Sequence, residues 1–170
     1  MSTSRKKTRG FNRKIKQLNR WKQRVITRDY SNLPAGIRYN KIFLPPYVWY
    51  YDLQPHPTFQ PHVYDALFEI LRTLKQDHAI VKHNLNVQLW LFHPRFIQSM
   101  VIVSTKEKSE DQQKKIEATQ TEQPPPPIIH KRSKGYTIKK GNHVGIRQLP
   151  TTNNNIQWEP IPLGDIWVIE

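Results

Sequence analysis

Leu85-Asn86-Val87-Gln88-Leu89-Trp90-Leu91-Phe92, followed after His93-Pro94-Arg95 by Phe96-Ile97-Gln98-Ser99-Met100-Val101-Ile102-Val103-Ser104, decides the fold. Leu85, Val87, Leu89 and Leu91 alternate with Asn86, Gln88, Trp90 and Phe92, the period of a β-strand. His93-Pro94-Arg95 predicts a turn, and Phe96 to Ser104 a returning strand. Late in this hairpin both faces are apolar, which predicts a central position in a sheet with a helix packed on it.

Immediately upstream, Val63, Leu67, Ile70, Leu71 and Leu74 recur at helical spacing, and Pro61 suits a first helical turn. The pattern predicts a helix over 61–77, with Asp65, Glu69, Arg72, Lys75 and Gln76 facing water. Between 29 and 58 the prolines at 34, 45, 46, 55 and 57 exclude a long helix. Short edge strands over 38–44 and 47–53 are expected there, the second carrying the aromatic run Tyr47-Val48-Trp49-Tyr50-Tyr51. That run is read as a half-buried strand, with a stacking platform or protein-binding patch as the alternative.

Downstream, residues 105–127 turn polar and end in four prolines, which predicts a flexible low-complexity loop closing in a stiff polyproline segment. Lys131, Arg132, Lys134, Lys139 and Lys140 form a small basic cluster among short strands punctuated by Gly135, Gly141 and Gly145. Gly164-Asp165 predicts a turn into a terminal strand, 165–169, tied into the sheet. The expected class is α+β: a small, mainly antiparallel sheet with two main helices, a basic N-terminal arm and a disordered Pro-rich loop. Residues 1–10 are expected to be a disordered basic tail, and 11–170 a single domain interrupted by the 105–127 loop.

Charge is distributed unevenly. The formal net charge is +14, yet residues 1–28 contain 11 Lys and Arg and no acid. From Phe11 a helical pattern runs to Thr27: Phe11, Ile15, Leu18 and Val25 make a stripe, with Trp21 and Ile26 beside it. Arg5, Lys6, Lys7, Arg9, Arg13, Lys14, Lys16, Arg20 and Arg24 are the candidate residues for contact with a polyanion. Phe11 and Trp21 among them would stack on bases if exposed and anchor the helix if buried. Entry of the apolar stripe into a membrane surface is weighed as well, against the core's need for that stripe.

There is no cysteine, which excludes disulfides, thiol catalysis and cysteine-bound zinc. No signal peptide follows the basic start, no run reaches the roughly 18 apolar residues of a membrane span, and a cytoplasmic protein is expected. The mean hydropathy of −0.73, with the high charge, predicts that part of the chain stays disordered. The pairs His56/His62 and His78/His83 match no metal-ligand spacing, and the acids Asp52, Asp65, Glu69 and Asp77 suggest no paired-carboxylate site. No glycine-rich phosphate loop or nucleophile elbow occurs. Catalytic residues, metal ligands and cofactors are therefore not assigned.

Three places carry a family resemblance: Arg9-Gly10-Phe11-Asn12-Arg13-Lys14, then Leu91 to Ser99 followed by Val101-Ile102-Val103, and Gly164-Asp165-Ile166-Trp167-Val168-Ile169. In order and spacing they resemble a bacterial domain-of-unknown-function family of about this size, with a departure at 105–140. The resemblance implies a single α+β domain and brings no activity. The functional expectation is a non-catalytic protein contacting RNA or DNA backbone through its basic N-terminal helix. The alternatives are an immunity or accessory module meeting an acidic protein, and a metal-independent RNase-like enzyme with His93 and Arg95 as the first pair to test.

Overall fold

The computed structural model describes residues 10–31, 39–43, 57–93, 99–105, 124–148 and 158–170. Among them are helices α1 (Phe11–Ile26), α2 (Gln60–Gln76), α3 (His78–Lys82) and α4 (Pro127–Arg132). The strands are β1 (Tyr39–Phe43), β2 (Leu85–His93), β3 (Met100–Thr105), β4 (Ile138–Gln148) and β5 (Trp158–Ile169). They form one five-stranded sheet of order β1-β3-β2-β5-β4, with every pair antiparallel. The fold is a small α+β fold, and β2 lies at its centre.

The two periodicities explain the layers. On α2, Val63, Leu67, Ile70, Leu71 and Leu74 are fully buried, each worth about 1.5–3 kcal/mol of apolar burial. They meet the odd-numbered face of the sheet: Val87, Leu89 and Leu91 of β2, Val101 and Val103 of β3, Trp167 and Ile169 of β5. The pairing Leu89↔Ile169 and Leu91↔Trp167 keeps these side chains on one face. The even-numbered face builds a second cluster from Phe92, Met100, Ile102, Ile166 and Val168, with Trp90 packed against it. Its polar end is a chain of hydrogen bonds: Trp90 Nε1 donates to Gln88 Oε1 (3.1 Å), Gln88 Nε2 donates to Glu170 Oε1 (2.5 Å), and Lys139 Nζ donates to Glu170 Oε2 (3.0 Å).

Several expected boundaries move. β3 begins at Met100 rather than Phe96, and residues 94–98, with most of the expected turn, lie outside the described residues. The same holds for the expected 47–53 strand and for 106–123 of the expected loop. At 127 the polyproline reading is corrected. Pro127 starts α4, because a proline at the first helical position gives up an N–H that has no helical partner there. The short strands expected from 128 resolve into α4 and one long strand, β4. The turn expected at Gly164-Asp165 is also corrected: Gly164 lies inside β5. Register shifts between His143 and Val144, leaving Leu163 as the extra residue of a bulge, and Gly164 takes φ +132, a conformation glycine accepts without Cβ strain. Among the described residues β5 pairs beyond the bulge with β4 alone, and there no second partner strand asks an N–H of Pro160 or Pro162.

α3 has a local cause. Asp77 Oδ1 accepts from Ala79 N (2.9 Å) and Ile80 N (3.1 Å), capping a new helix where α2 stops. Asp77→Ala is expected to lower stability by about 1 kcal/mol, read from the shift of the urea midpoint at constant m.

Two buried phenols fasten the helical layer. Tyr30 lies under the end of α1 and donates to the Val25 carbonyl (2.8 Å), and Tyr64 of α2 lies beneath the Arg132 guanidinium. Burial pushes both hydroxyls from the ordinary 10 to about 12. Below pH 10 both are neutral whether folded or unfolded, so their packing contributes fully. As pH rises from 10 towards 12 the unfolded chain releases these protons first, and stability falls by roughly 3 kcal/mol per tyrosine. Denaturant midpoints at pH 9 and pH 11.5, beside the tyrosinate absorbance, check this.

Candidate nucleic-acid interface

α1 is a strongly two-sided helix. Gly10 caps it in the left-handed region at φ +92, and no acid stands in its first turn. On the inner side Leu18, Trp21 and Val25 are buried, with Phe11, Ile15 and Ile26 packed at the edge of the core. This side rests on α2. Lys22 Nζ reaches Glu69 Oε2 at 2.6 Å, and the edge of Phe11 meets Phe59 and His62, with ring centroids 6.2 and 5.6 Å away.

The outer side holds the cations. At 100° per residue, Arg13, Lys16, Arg20 and Arg24 fall within a sector of about 80°, and 1.5 Å of rise per residue spreads them over about 16 Å. All four are exposed, while Lys14 is half-buried at the flank. Among the described residues none of these five side chains has an ion-pair or hydrogen-bond partner. Two shallow depressions lie against this face. One, of about 390 Å³, is lined by Asn12, Arg13, Lys16, Gln17 and Arg20. The other, of about 640 Å³, is lined by Gln17, Asn19, Arg20, Gln23 and Arg24. They share Gln17 and Arg20, and their described lining contains amides and cations but no acid.

Of the candidate residues, the structure thus gathers Arg13, Lys16, Arg20 and Arg24 on one face, with Lys14 beside it. Arg5, Lys6, Lys7 and Arg9 lie outside the described residues. Base stacking by Trp21 is corrected: at 6 % exposure its ring belongs to the core, because the helix needs an aromatic anchor against α2. Phe11 likewise spends its edge on Phe59 and His62. The apolar stripe is in the core, which removes the face a membrane-surface helix would need, and among the described residues no helix is long and apolar enough to cross a membrane.

The acids of α2 have a role that local sequence does not reveal. Glu69 is held by Lys22 of α1, and Asp65 by Arg132 of α4, with Arg132 Nε 2.7 Å from Asp65 Oδ1. Their partners lie 47 and 67 residues away in sequence, so only the outward i, i+4 placement was visible beforehand. No group of three His, Asp or Glu able to hold a metal occurs among the described residues. His93 is exposed at the end of β2, and Arg95 and His56 lie outside the described residues. No family model, no curated protein and no solved structure matches this chain.

Proposed function

We propose that this is a non-catalytic binding protein whose α1 presents a cationic face to the sugar-phosphate backbone of RNA or DNA. The observation that supports it is the set of exposed cations on α1 that no acid of the described body neutralises, on a helix whose opposite side is anchored. Phosphate contacts require cations without internal partners, and a row of them along a fixed helix meets a row of phosphates at little ordering cost. Backbone contact of this kind carries no sequence information. A cysteine-free chain suits the cytoplasm, where nucleic acid is an abundant polyanion.

The test is a fluorescence anisotropy titration of the full chain against a labelled 24-base-pair DNA duplex and its RNA counterpart, at salt from 50 to 200 mM. The four α1 phosphate contacts alone are expected to weaken DNA binding about 150-fold across that range, contributing about −3.6 to the log–log slope. A flat response removes the reading. A stoichiometric complex with an acidic protein, without nucleic-acid binding, moves the same face to the alternative function.

A further inference from the structure

The other flank of α2 carries a second group of cations. The chain from α4 into β4 runs along α2. Arg132 sits at Tyr64 and Asp65, and Tyr136 sits at Phe68 (ring centroids 6.5 Å apart) and under Lys75, whose Nζ is 5.5 Å from the ring centre. Between those fixed points the chain turns at Ser133–Tyr136, where Tyr136 N donates to the Ser133 carbonyl (3.0 Å) and Gly135 takes φ +85. This brings Lys134 to the side of α2 where Arg72 and Lys75 stand one turn apart, with Lys131 on the last turn of α4. All four are exposed, and none has an ion-pair partner among the described residues. The two acids of α2 on the turns before Arg72, Asp65 and Glu69, are occupied by Arg132 and Lys22. Across α1, α2 and α4 the only acids are Asp65 and Glu69, and both are paired. Two separate cationic patches therefore flank α2, one on each side, with no unpaired acid on α1, α2 or α4.

Resting on the reading of α1 above, we propose that one nucleic-acid molecule is gripped at both patches: by Arg13, Lys16, Arg20 and Arg24 on α1, and by Arg72, Lys75, Lys131 and Lys134 beyond α2. Helix spacings of 8–10 Å put the patches roughly 16–20 Å apart, a distance covered by about five or six base pairs at 3.4 Å each. Both patches address phosphate, so the second adds grip and orientation without adding sequence preference.

The experiment measures the log–log salt slope on the 24-base-pair DNA duplex for the full chain and three variants. In the first, Arg72, Lys75, Lys131 and Lys134 are all replaced by Gln. In the second, the same positions exchange Arg for Lys and Lys for Arg. In the third, the four α1 cations are replaced by Gln. The first variant is expected to lose about 3 units of slope while binding remains one protein to one duplex site, and the charge-keeping variant to retain the wild-type slope. An unchanged slope in the first variant overturns the second grip and leaves the α1 reading standing. Loss of slope in the charge-keeping variant overturns the electrostatic account of this patch. If the third variant binds like the wild type, the α1 reading falls instead. If the wild type itself fails to bind, both fall.

Discussion

Replacing Arg13, Lys16, Arg20 and Arg24 together by Gln is expected to flatten the salt dependence of nucleic-acid binding by 3–4 units of log–log slope. At 50 mM salt the affinity should fall at least 100-fold, while the fold stays intact. The first part follows from counterion release, about 0.9 ion per phosphate neutralised on duplex DNA. The second follows from the outer face of α1: none of the four side chains has an ion pair among the described residues, so removing their charge deletes no ion pair there. Relief of repulsion among four like charges at i, i+3 and i, i+4 spacing should raise stability by a few tenths of a kcal/mol. Anisotropy titration and thermal melting of one preparation read both effects. A large loss of stability with the loss of binding would mean that these cations have structural work instead.

Trp21→Ala is expected to give a large loss of stability, about 3–5 kcal/mol, the range for truncating a buried aromatic. The indole is 6 % exposed, between Leu18 and Val25 on the buried side of α1, and it belongs to the same cluster as Val63, Leu67, Ile70 and Leu71 of α2. The cavity left at a helix–helix seam collapses only in part, so lost transfer energy and lost packing add. Neutralising Lys22, which ties the same two helices through Glu69, should cost less than about 1 kcal/mol, because Glu69 is 39 % exposed and solvent screens the pair. Urea unfolding of the two variants ranks them. Equal losses would show that charge rather than apolar contact holds α1 in place.

This ordering of contributions explains what the amino-acid sequence disclosed. The β2 alternation, the α2 face and the α1 stripe are local periodic patterns. Burial decides such elements, so the structure places them within a residue or two of the expectation. The two faces of β2 were legible because Trp90 and Phe92 stand where a solvated strand would have polar residues. α3 had a signal that periodicity overlooked: Asp77 ahead of His78-Ala79-Ile80-Val81 is an N-cap pattern on a helix too short to show a stripe. α4 was hidden by its own prolines, and the β5 bulge by a glycine that looked like a turn. At the candidate site the cations were legible as charge. The pairing of Glu69 with Lys22 and of Asp65 with Arg132 was not, because those contacts depend on how α1 and α4 dock on α2. Among the described residues that docking leaves the α1 row without an acid partner, and a second group of cations lies near Lys134.

The central claim is that the outer face of α1 stays open to a polyanion while its inner face is fixed in the core. Lysine acylation and arginine-selective labelling, read by mass spectrometry with and without the 24-base-pair duplex, tests it residue by residue. Duplex is expected to shield Lys16, Arg13, Arg20 and Arg24, and to leave the labelling of Lys22, held by Glu69, and of Lys82 on α3 unchanged. Equal labelling of the four α1 residues with and without duplex would contradict it.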